Sequence, residues 1–545
     1  MSKTNWLMKA CGIFLLWTAA VTVLTAQIAS LPPVPKPTTP LSHDAVDNLK
    51  LRSHLIPATD GSVNSGIADT TFKVPRIGKV TSLYSFCAET SCKHNGVFPF
   101  EGLIQGLDGD FYGTTYVGEN FQLCPNGCGA IYKITSSGAF TTLLVFDATD
   151  GERPYAPLAL GTDGNFYGST TLGGALGEGN VFRFSPEDRV ITTLHDFCSP
   201  RDKDCSDGYS ARGSLVLATD GDFYGATISG HSNGAYGGGT AFKITPDGTL
   251  TTIYNFCVPS ILLCPDGSSP NGLIQASDGN FYGVTQAGGV NACNYDGSDF
   301  GCGTIFRLTP GGTLTTLHTF DGTDGTDPID KLVQGSDGAL YGVTVIGGTN
   351  PCYVNQGCGT AFKITLSGAF TVLHDFGNLP SASEPSGALI QATDGNFYGT
   401  TDDGGKAGEG TLFKMTPTGT FTTVANFGGL EDLPVGALVQ GTDGKFYGVT
   451  YYGGNGAGSV YVASSGLTPF VRTLPISGTV GSTVSILGTN LTAATRVTFS
   501  GVSSGFTVVS GSQITTTVPI GATTGEVQVV TPSGTLSSNV PFTVN

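Results

Sequence analysis

Four acidic residues stand where related segments of the chain carry neutral ones. Asp402 and Asp403 follow a motif whose other copies continue with uncharged residues, and Glu409 and Glu178 lie in glycine-rich segments without cysteine. Two carboxyl groups in different environments are what glycosidic bond cleavage requires. Solvated acids on glycine-rich loops explain the same pattern without any reaction, and we favour that interpretation. We therefore expect no catalytic residue, and these four are the candidates should catalysis occur.

Tyrosines in the long loops are candidates for stacking on a ligand. Both tryptophans, Trp6 and Trp17, lie in the N-terminal segment, so tyrosine is the amphipathic ring available elsewhere in the chain. An aromatic ring with a polar edge suits a surface that is apolar on one side and wet on the other. The candidates for ligand binding are Tyr116, Tyr236, Tyr295, Tyr353 and Tyr452.

The cysteines predict disulfides rather than a metal site. Setting aside Cys11, the 13 cysteines leave an even number that falls into close pairs. None of these pairs has CxxC spacing and no histidine recurs beside them, so a metal site is the weaker alternative, and we expect no metal and no cofactor. The predicted disulfides are Cys87/Cys92, Cys124/Cys128, Cys198/Cys205, Cys257/Cys264, Cys293/Cys302 and Cys352/Cys358.

Other recurring polar residues have structural explanations. A run of aspartates precedes glycine in every repeat, which is typical of tight turns: Asp108, Asp163, Asp220, Asp278, Asp337, Asp394 and Asp443. Glutamines share one strand register, where hydrogen bonding between repeats is favoured over a polar ring around a channel: Gln105, Gln275, Gln334, Gln391 and Gln440. His195, His318 and His374 share a register in different repeats and should not converge on a site. Asp321, Asp324 and Asp327 lack EF-hand spacing, so a turn is favoured over a calcium loop.

A sevenfold repeat must position all of these residues. The motif occurs at 108–113, 163–168, 220–225, 278–283, 337–342, 394–399 and 443–448, in the form DGDFYG or a close variant. Each period holds four strand-like runs. In the fourth repeat, Asp278-Gly279 joins two of them, and such a turn is a strong hairpin signal because both residues tolerate positive φ. Four antiparallel strands in each of seven repeats predict a β-propeller.

The chain ends of this propeller are expected to share one blade. The fourth-strand pattern first appears at residues 80–86, before any complete repeat, and the last repeat has only three good strands. Closing the ring with the N-terminal strand would remove open sheet edges. The short turns would then share one plain face, and the long cysteine-bearing loops the other. Binding functions concentrate on variable loops held by a rigid scaffold, so any site is expected on the disulfide-braced face.

Two resemblances support this architecture. LIQASDGNFYG (273–283), GTIFRLTP (303–310) and GTLTTLHTF (312–320) resemble the bacterial extracellular tandem repeat family called GloVer, over residues 79–462. That resemblance implies export and surface residence and implies no catalytic residues. PISGTVGSTVSILGTNL (475–491) resembles the opening of an IPT/TIG domain. The expected fold class is thus all-β: a seven-bladed propeller closed by an N-terminal strand, followed by a small immunoglobulin-like β-sandwich.

The N-terminus and the overall charge indicate where the protein acts. Lys3 and Lys9 precede an apolar run over residues 10–26, which predicts a cleaved signal peptide, with an uncleaved anchor as the alternative. The expected domains are 1–26 signal peptide, 27–78 proline-rich spacer, 79–467 propeller and 468–545 IPT/TIG domain. A net charge of -17 argues against nucleic acid and anionic membranes as partners.

These features predict an exported or cell-surface protein that binds an extracellular polymer or protein on the disulfide-braced face without catalysis. The alternatives are a polysaccharide-active hydrolase or lyase and a structural or adhesion component of the surface. We expect a monomer that does not insert into a membrane after signal cleavage, and we expect no nucleic acid partner.

Overall fold

The computed structural model describes residues 55–57, 63–67, 70–74, 77–87, 96–118, 124, 127–198, 205–230, 238–257, 264–295, 298–299, 301–352, 357–377, 381–429 and 431–545. The predicted signal peptide and most of the predicted spacer lie outside these ranges. The chain divides into two compact units, Met1–Val74 and Pro75–Asn545. The first contains a three-stranded antiparallel sheet of Leu55–Pro57, Val63–Ile67 and Thr70–Val74. In the described part of the chain, no helix is long and apolar enough to cross a membrane.

The second unit is built of β-strands in a β-propeller-like arrangement. Each of the first six repeats forms an antiparallel sheet whose strands follow one another in sequence. The strands of the first three repeats are Ile104–Gln105, Phe111–Thr115, Ala130–Ile134 and Phe140–Val145; Glu152–Pro154, Ala159–Leu160, Phe166–Leu172, Asn180–Ser185 and Val190–Asp196; and Val216–Leu217, Phe223–Thr227, Thr240–Ile244 and Leu250–Asn255. In the second repeat, the first strand is split into two short pieces.

The same order recurs in the next three repeats, again with a split first strand. Their strands are Ser268–Pro270, Ile274–Gln275, Phe281–Ala287, Thr304–Leu308 and Leu314–Thr319; Thr326–Pro328, Val333–Gln334, Leu340–Ile346, Thr360–Ile364 and Phe370–Asp375; and Ala382–Pro385, Ile390–Gln391, Phe397–Gly404, Thr411–Met415 and Phe421–Asn426. A small ribbon of Asn294–Tyr295 and Ser298–Asp299 lies in the loop of the fourth repeat.

The last sheet joins the two ends of the repeat region. Its strands are Glu431–Gln440, Phe446–Gly453 and Ser459–Ala463, and its fourth strand is the N-terminal Val80–Ser85, which pairs antiparallel with Ser459–Ala463. The pairing continues beyond these two strands, since Gly78 N–H donates a hydrogen bond to Ser464 O at 2.8 Å. The prediction that the N-terminal strand completes the last repeat is confirmed.

The hairpin between strands one and two differs in detail from the expected turn. In the first repeat, Gly109 N–H donates to Gly106 O and Gly106 N–H donates to Asp110 O. Gly109 has a φ of +88°, whereas none of the seven motif aspartates has a positive φ in the described residues. Of the two turn residues that tolerate positive φ, only the glycine adopts it. The aspartate side chain instead accepts a hydrogen bond from the backbone two residues ahead, as Asp108 Oδ1 does from Asp110 N–H at 3.1 Å.

The tyrosine of each motif links its own turn to the next repeat. In every copy its hydroxyl donates to the motif aspartate: Tyr112–Asp108, Tyr167–Asp163, Tyr224–Asp220, Tyr282–Asp278, Tyr341–Asp337, Tyr398–Asp394 and Tyr447–Asp443, at 2.7–3.0 Å. Its ring packs on the residue before the motif tyrosine of the following repeat, which is phenylalanine in every repeat but the fifth, as in Tyr167–Phe223 and Tyr224–Phe281, with ring centroids 4.0 and 3.9 Å apart. Tyr447 packs on Phe111 in the same way at 3.9 Å, so the last repeat contacts the first.

The recurring glutamines bridge neighbouring repeats, as predicted. Gln275 Oε1 accepts a hydrogen bond from Thr219 N–H of the preceding repeat at 2.8 Å, and its Nε2 donates to Gly279 O of its own turn at 3.2 Å. Gln334, Gln391 and Gln440 make the same contacts. Gln105 accepts from Thr442 N–H at 3.0 Å and so joins the last repeat to the first.

Five of the predicted disulfides are present: Cys124–Cys128, Cys198–Cys205, Cys257–Cys264, Cys293–Cys302 and Cys352–Cys358. Cys87 is also disulfide-bonded, and its predicted partner Cys92 lies outside the described residues. Each bridge closes a short loop, which limits its stabilisation to about 2–3 kcal/mol.

The histidines and the aspartate run have structural contacts. His195 and His318 lie 2.8 Å from Asp207 and Asp324, and His318 stacks on Phe370 of the next repeat. Asp321 accepts hydrogen bonds from the backbone N–H groups of residues 323 and 324, which is the predicted turn. In the described residues no group of three or more potential metal-binding side chains comes together.

The C-terminal residues form two further four-stranded sheets around a separate core. One contains Arg472–Leu474, Thr483–Leu487, Gln513–Thr517 and Phe506–Val508, and the other Val502–Ser504, Arg496–Phe499, Val527–Thr531 and Gly534–Ser537. Ser477–Gly478 pairs with Thr543–Val544, and Leu491–Ala493 is a short 3-10 helix. The fully buried side chains between the sheets include Val484, Ile486, Leu491, Val497, Ile514, Val527 and Val529.

This C-terminal region docks on the side of the ring that was expected to be plain. Arg472 Nη2 donates to Gln440 O at 2.5 Å, and Ser512 Oγ donates to Leu107 O at 3.1 Å. Burial lowers the pKa of Arg472 to about 10. The short turns of the first and last repeats therefore serve as an internal docking surface.

The stacked pair at the junction of the last and first repeats provides a test of ring closure. We expect Phe111→Ala to lower the free energy of unfolding by about 3–5 kcal/mol, because it removes a buried ring from a packed interface. Phe111→Leu copies Leu340, which the fifth repeat carries at this position, and should cost about 1–2 kcal/mol. Urea denaturation monitored by circular dichroism measures both. If both variants lost the same free energy of unfolding, a role for the packing of Phe111 on Tyr447 would be contradicted.

Candidate functional site

The split first strands turn part of the chain toward the middle of the ring. In the fifth repeat, Pro328 pairs with Thr344 and Val333 with Tyr341 of the same second strand. Four residues on the first strand thus face two on the second, and this bulge displaces residues 329–332 from the ladder. Asp330, within the bulge, has a φ of +57°. We call residues 100–102, 155–157, 212–214, 271–272, 329–331, 386–388 and 435–437 the inner segments.

The inner segments surround one cavity of about 210 Å³. All seven repeats contribute to its wall: Phe100 and Glu101; Tyr155 and Pro157; Arg212, Gly213 and Ser214; Asn271, Gly272 and Gln286; Ile329, Asp330 and Val345; Pro385, Ser386 and Asp402; and Val435. Gln286, Val345 and Asp402 come from the later part of the second strands, the end from which the long loops leave. The cavity therefore lies toward the loop side of the ring.

The residues that line the cavity are the ones that vary between repeats. The inner segments read FEG, YAP, RGS, NG, IDK, SGA and VGA, whereas the leucine that follows each of them is constant. Gln286, Val345 and Asp402 each stand four residues after the motif tyrosine of their second strand. In successive repeats this position is occupied by Tyr116, Thr171, Ile228, Gln286, Val345, Asp402 and Tyr451. Neighbouring positions of the same strand hold the invariant tyrosine and glycine. Chemical diversity is thus concentrated on the cavity wall.

Three carboxyl groups face this space. Burial raises the pKa of Glu101 well above its ordinary range, and the charge of Asp330 raises it further against the opposing charge of Lys331. Burial, followed by the charge of Glu384, raises the pKa of Asp402 to about 8. Asp330 Oδ2 accepts a hydrogen bond from Ala388 N–H of the next repeat at 2.9 Å, which fixes its position.

Aromatic rings form one side of the cavity and continue to its rim. Phe100 lies 4.8 Å from Tyr155 and 5.2 Å from Tyr116, measured between ring centroids. Tyr451 lies 4.9 Å from Phe100 and 4.6 Å from Tyr452. The guanidinium of Arg212, another lining residue, lies 5.1 Å from the centroid of Tyr155. A ligand here would meet aromatic faces beside acidic and amide groups.

The four acidic residues singled out from the sequence occupy different places. Asp402 lines the cavity, whereas Asp403, Glu409 and Glu178 are not among its lining residues. Asp403 Oδ1 accepts a hydrogen bond from Gly404 N–H at 2.7 Å, and Glu409 Oε2 accepts one from Gly429 N–H at 3.1 Å. The other carboxyl groups that line the cavity with Asp402 are Glu101 and Asp330.

The candidate tyrosines are also divided. Tyr116 packs against Phe100 and Tyr155, and Tyr452 is exposed at the rim beside Tyr451. The backbone of Tyr295 belongs to the small ribbon, and its side chain lies outside the described part of the structure. Tyr236 and Tyr353 lie outside the described residues.

Sequence reasoning missed Phe100, Glu101, Tyr155, Arg212 and Asp330. They lie just before the predicted first strands, in a stretch to which no role was assigned. A signal was present, because each stands in the short variable stretch before a constant leucine. Variation inside an otherwise constant strand marks a position that does not serve the common fold.

The raised pKa of Asp402 makes the stability of the protein depend on pH. The folded protein keeps this carboxyl protonated up to about pH 8, whereas the unfolded chain releases the proton near pH 4. The unfolded state therefore binds fewer protons between these values, and the free energy of unfolding falls as pH rises through the window. Across this window, we expect the free energy of unfolding of Asp402→Asn to decrease by at least about 2 kcal/mol less than that of the wild type.

Urea denaturation at pH 5 and pH 9 measures this effect. Glu409→Gln is the control, because it also removes one carboxyl of the sixth repeat but at a residue that does not line the cavity. The assignment of a neutral buried carboxyl would be contradicted if the wild-type protein had the same free energy of unfolding at both pH values. It would also be contradicted if that free energy changed with pH in Asp402→Asn as much as in the wild type.

Comparison with known proteins identifies the repeat. The family described as the Gloeobacter/Verrucomicrobia repeat matches residues 58–230 and 291–511. No curated protein sequence matches the chain.

Several solved structures resemble the chain at low identity. The extracellular domain of a one-component system from B. thetaiotaomicron aligns with a TM-score of 0.45 and 12% identity, over 90% of this chain and 61% of that chain. A fungal alcohol oxidase in complex with copper aligns with a TM-score of 0.45 and 15% identity, over 86% and 100%. An oligogalacturonate lyase from Vibrio parahaemolyticus aligns with a TM-score of 0.43 and 14% identity, over 76% and 98%. The chain spans about three fifths of the first of these structures.

The family match covers more than half of the chain and includes the DGDFYG-type motif in every repeat but the fourth. This chain belongs to the Gloeobacter/Verrucomicrobia repeat family.

Proposed function

We propose that this chain is an exported, non-enzymatic glycan-binding protein that holds one small part of an extracellular polysaccharide in the cavity between the inner segments. The observation that carries the proposal is the match between sequence variation and the cavity wall. Seven repeats keep their turns, stacks and bridges constant and differ where they face this space. Variation on the wall of a cavity is expected of a binding surface carried by a conserved scaffold.

The chemistry of the wall supports a saccharide. Phe100 and Tyr155 offer aromatic faces, and Asn271, Gln286 and Ser214 offer polar groups that can pair with hydroxyls. Ligand pockets commonly measure about 300–1,000 Å³. A cavity of about 210 Å³ therefore suits a terminal residue or a projecting group of a polymer better than a long chain segment.

The proposed architecture follows the sequence-based domains. Residues 1–26 act as the export signal, 27–78 as a spacer, 79–467 as a closed seven-bladed propeller and 468–545 as an IPT/TIG domain of immunoglobulin type. The contacts Tyr447–Phe111 and Gln105–Thr442 across the junction support closure. Two sheets around one core support the sandwich. Disulfides in several loops support an oxidising, extracellular environment.

A glycan array followed by titration calorimetry tests the binding function. We expect Tyr155→Ala to weaken binding of the best saccharide about tenfold, because an aromatic contact face is lost. Tyr155→Phe keeps the ring and should bind nearly as well as the wild type. Tyr254→Ala changes a tyrosine on the outermost strand of the third repeat and serves as the distant control. Absence of any saccharide ligand, or equal binding by Tyr155→Ala and the wild type, would refute the function.

A second candidate is a polysaccharide hydrolase or lyase, favoured by the raised pKa values of Glu101 and Asp402. A carboxyl that burial keeps protonated is the general acid that glycosidic cleavage requires, and Asp330 is the further carboxyl on the wall of this cavity. If the protein is an enzyme, Glu101→Gln and Asp402→Asn should each reduce turnover at least a hundredfold, and Glu409→Gln should not. Reducing-end and absorbance assays on a broad polysaccharide panel decide the matter, and wild-type protein without turnover eliminates this candidate.

A further inference from the structure

The cavity carboxyl groups lack the counter-ions that the turn aspartates have. On the turn side, lysines of the third strands pair with motif aspartates, as Lys363 does with Asp337 at 2.7 Å and Lys414 with Asp394 at 2.8 Å. Within the described residues, Glu101, Asp330 and Asp402 take part in no salt bridge. The cavity therefore has three acidic groups on its wall and one basic lining residue, Arg212.

Some oxygen atoms on the wall are also without hydrogen-bond partners. Oε2 of Glu101, Oδ1 of Asp402 and Oγ of Ser214 are buried and unpartnered in the described structure. An unpartnered buried polar atom costs about 1–3 kcal/mol. A cost of this size at three atoms around one cavity indicates that a ligand rich in hydrogen-bond donors completes the site.

The arrangement suits an organic cation better than a metal ion. No three acidic or other potential metal-binding groups converge in the described residues, so the carboxyls are spread around the wall rather than gathered at one point. A compact ammonium has three donors and no acceptor, which matches acceptors placed on several sides. The adjoining faces of Phe100 and Tyr155 favour a cation attached to a ring with an apolar side.

We propose that the cavity recognises an amine-bearing saccharide, such as a glucosamine unit whose amino group is free and charged. The inference rests on the proposed function and names its ligand class. The ammonium lies beside Glu101 and Asp330, which are close enough for the charge of Asp330 to act on Glu101, and the sugar face packs along Phe100 and Tyr155. Asp402 lines the same cavity and experiences the charge of the ammonium from a greater distance. The net charge of -17 assists by attracting cationic polymers from solution.

Binding of such a cation should expel a proton from the protein. Glu101 is faced by Asp330, Lys331, Tyr155 and Arg212, and Asp402 is faced by Glu384 and Asp403. An ammonium in the cavity lowers the pKa of Glu101 and of Asp402, so protons held by the empty cavity, such as the proton on Asp402 at pH 6, are released. A neutral saccharide leaves their protonation unchanged.

Titration calorimetry with three hexamers at pH 6 tests the ligand class: glucosamine, N-acetylglucosamine and galacturonate. We expect the glucosamine hexamer to bind at least tenfold more tightly than the other two. Repeating the titration in two buffers of different ionisation enthalpy should show proton release with glucosamine alone. Equal or tighter binding of the acetylated or acidic hexamer overturns the inference while leaving glycan binding intact. Binding of none of the array saccharides refutes the proposed function itself.

Variants separate the carboxyl groups from general loss of charge. Glu101→Gln and Asp402→Asn should each weaken glucosamine binding at least tenfold and reduce the proton release, whereas Glu409→Gln, the same change outside the cavity, should alter neither. Thermal melts confirm that each variant is folded. Unchanged affinity and unchanged proton release in both cavity variants overturn the inference. Tighter binding of a lysine hexapeptide than of the glucosamine hexamer, or displacement of the hexamer by millimolar calcium, also overturns it.

Discussion

The ring depends on one tyrosine in each repeat, which is bound on both sides. Its hydroxyl donates to the aspartate of its own turn, and its ring packs on the next repeat. A hydrogen bond to a carboxylate is stronger than one between neutral groups, and the ring adds a large buried apolar surface. Each tyrosine therefore holds its own hairpin and orients the neighbouring sheet. The same contact between Tyr447 and Phe111 brings the ends of the array together, assisted by the glutamine bridge from Gln105 to Thr442.

Because these contacts lie near the short turns, the opposite half of each first strand is free to vary. The hydrogen-bonded pairing of the first and second strands is interrupted there, and the displaced residues have no structural role that the repeats share. Neighbouring inner segments still support one another: Ser386 Oγ donates to Pro434 O at 2.6 Å, and Gly436 N–H donates to Ser386 O at 3.1 Å. A rigid frame can thus hold polar groups that are poorly satisfied in the empty protein, such as Oε2 of Glu101. The stability of the stacks compensates for the unfavourable burial of these groups.

The two sides of the ring have different tasks. The turn side accepts the C-terminal sheets through the buried guanidinium of Arg472 and through Ser512. The loop side carries the disulfides, and the cavity lies toward this side. The C-terminal sheets contact the short turns of the first and last repeats, whereas the cavity lies toward the loop side.

The repeated residues determined much of this protein directly from sequence. The motif with its turn aspartate and tyrosine, the paired cysteines, the bridging glutamines and the early fourth-strand pattern predicted the sheets, five described disulfides, the inter-repeat bridges and the closing strand. They did so because each acts through local spacing that every copy repeats. Glu101, Tyr155, Arg212 and Asp330 are each unique to one repeat and far apart in sequence, so no local pattern relates them. Only the ring brings them to one cavity, and only burial there raises the pKa of Glu101 and of Asp402, because the loss of water depends on what the other repeats place around them.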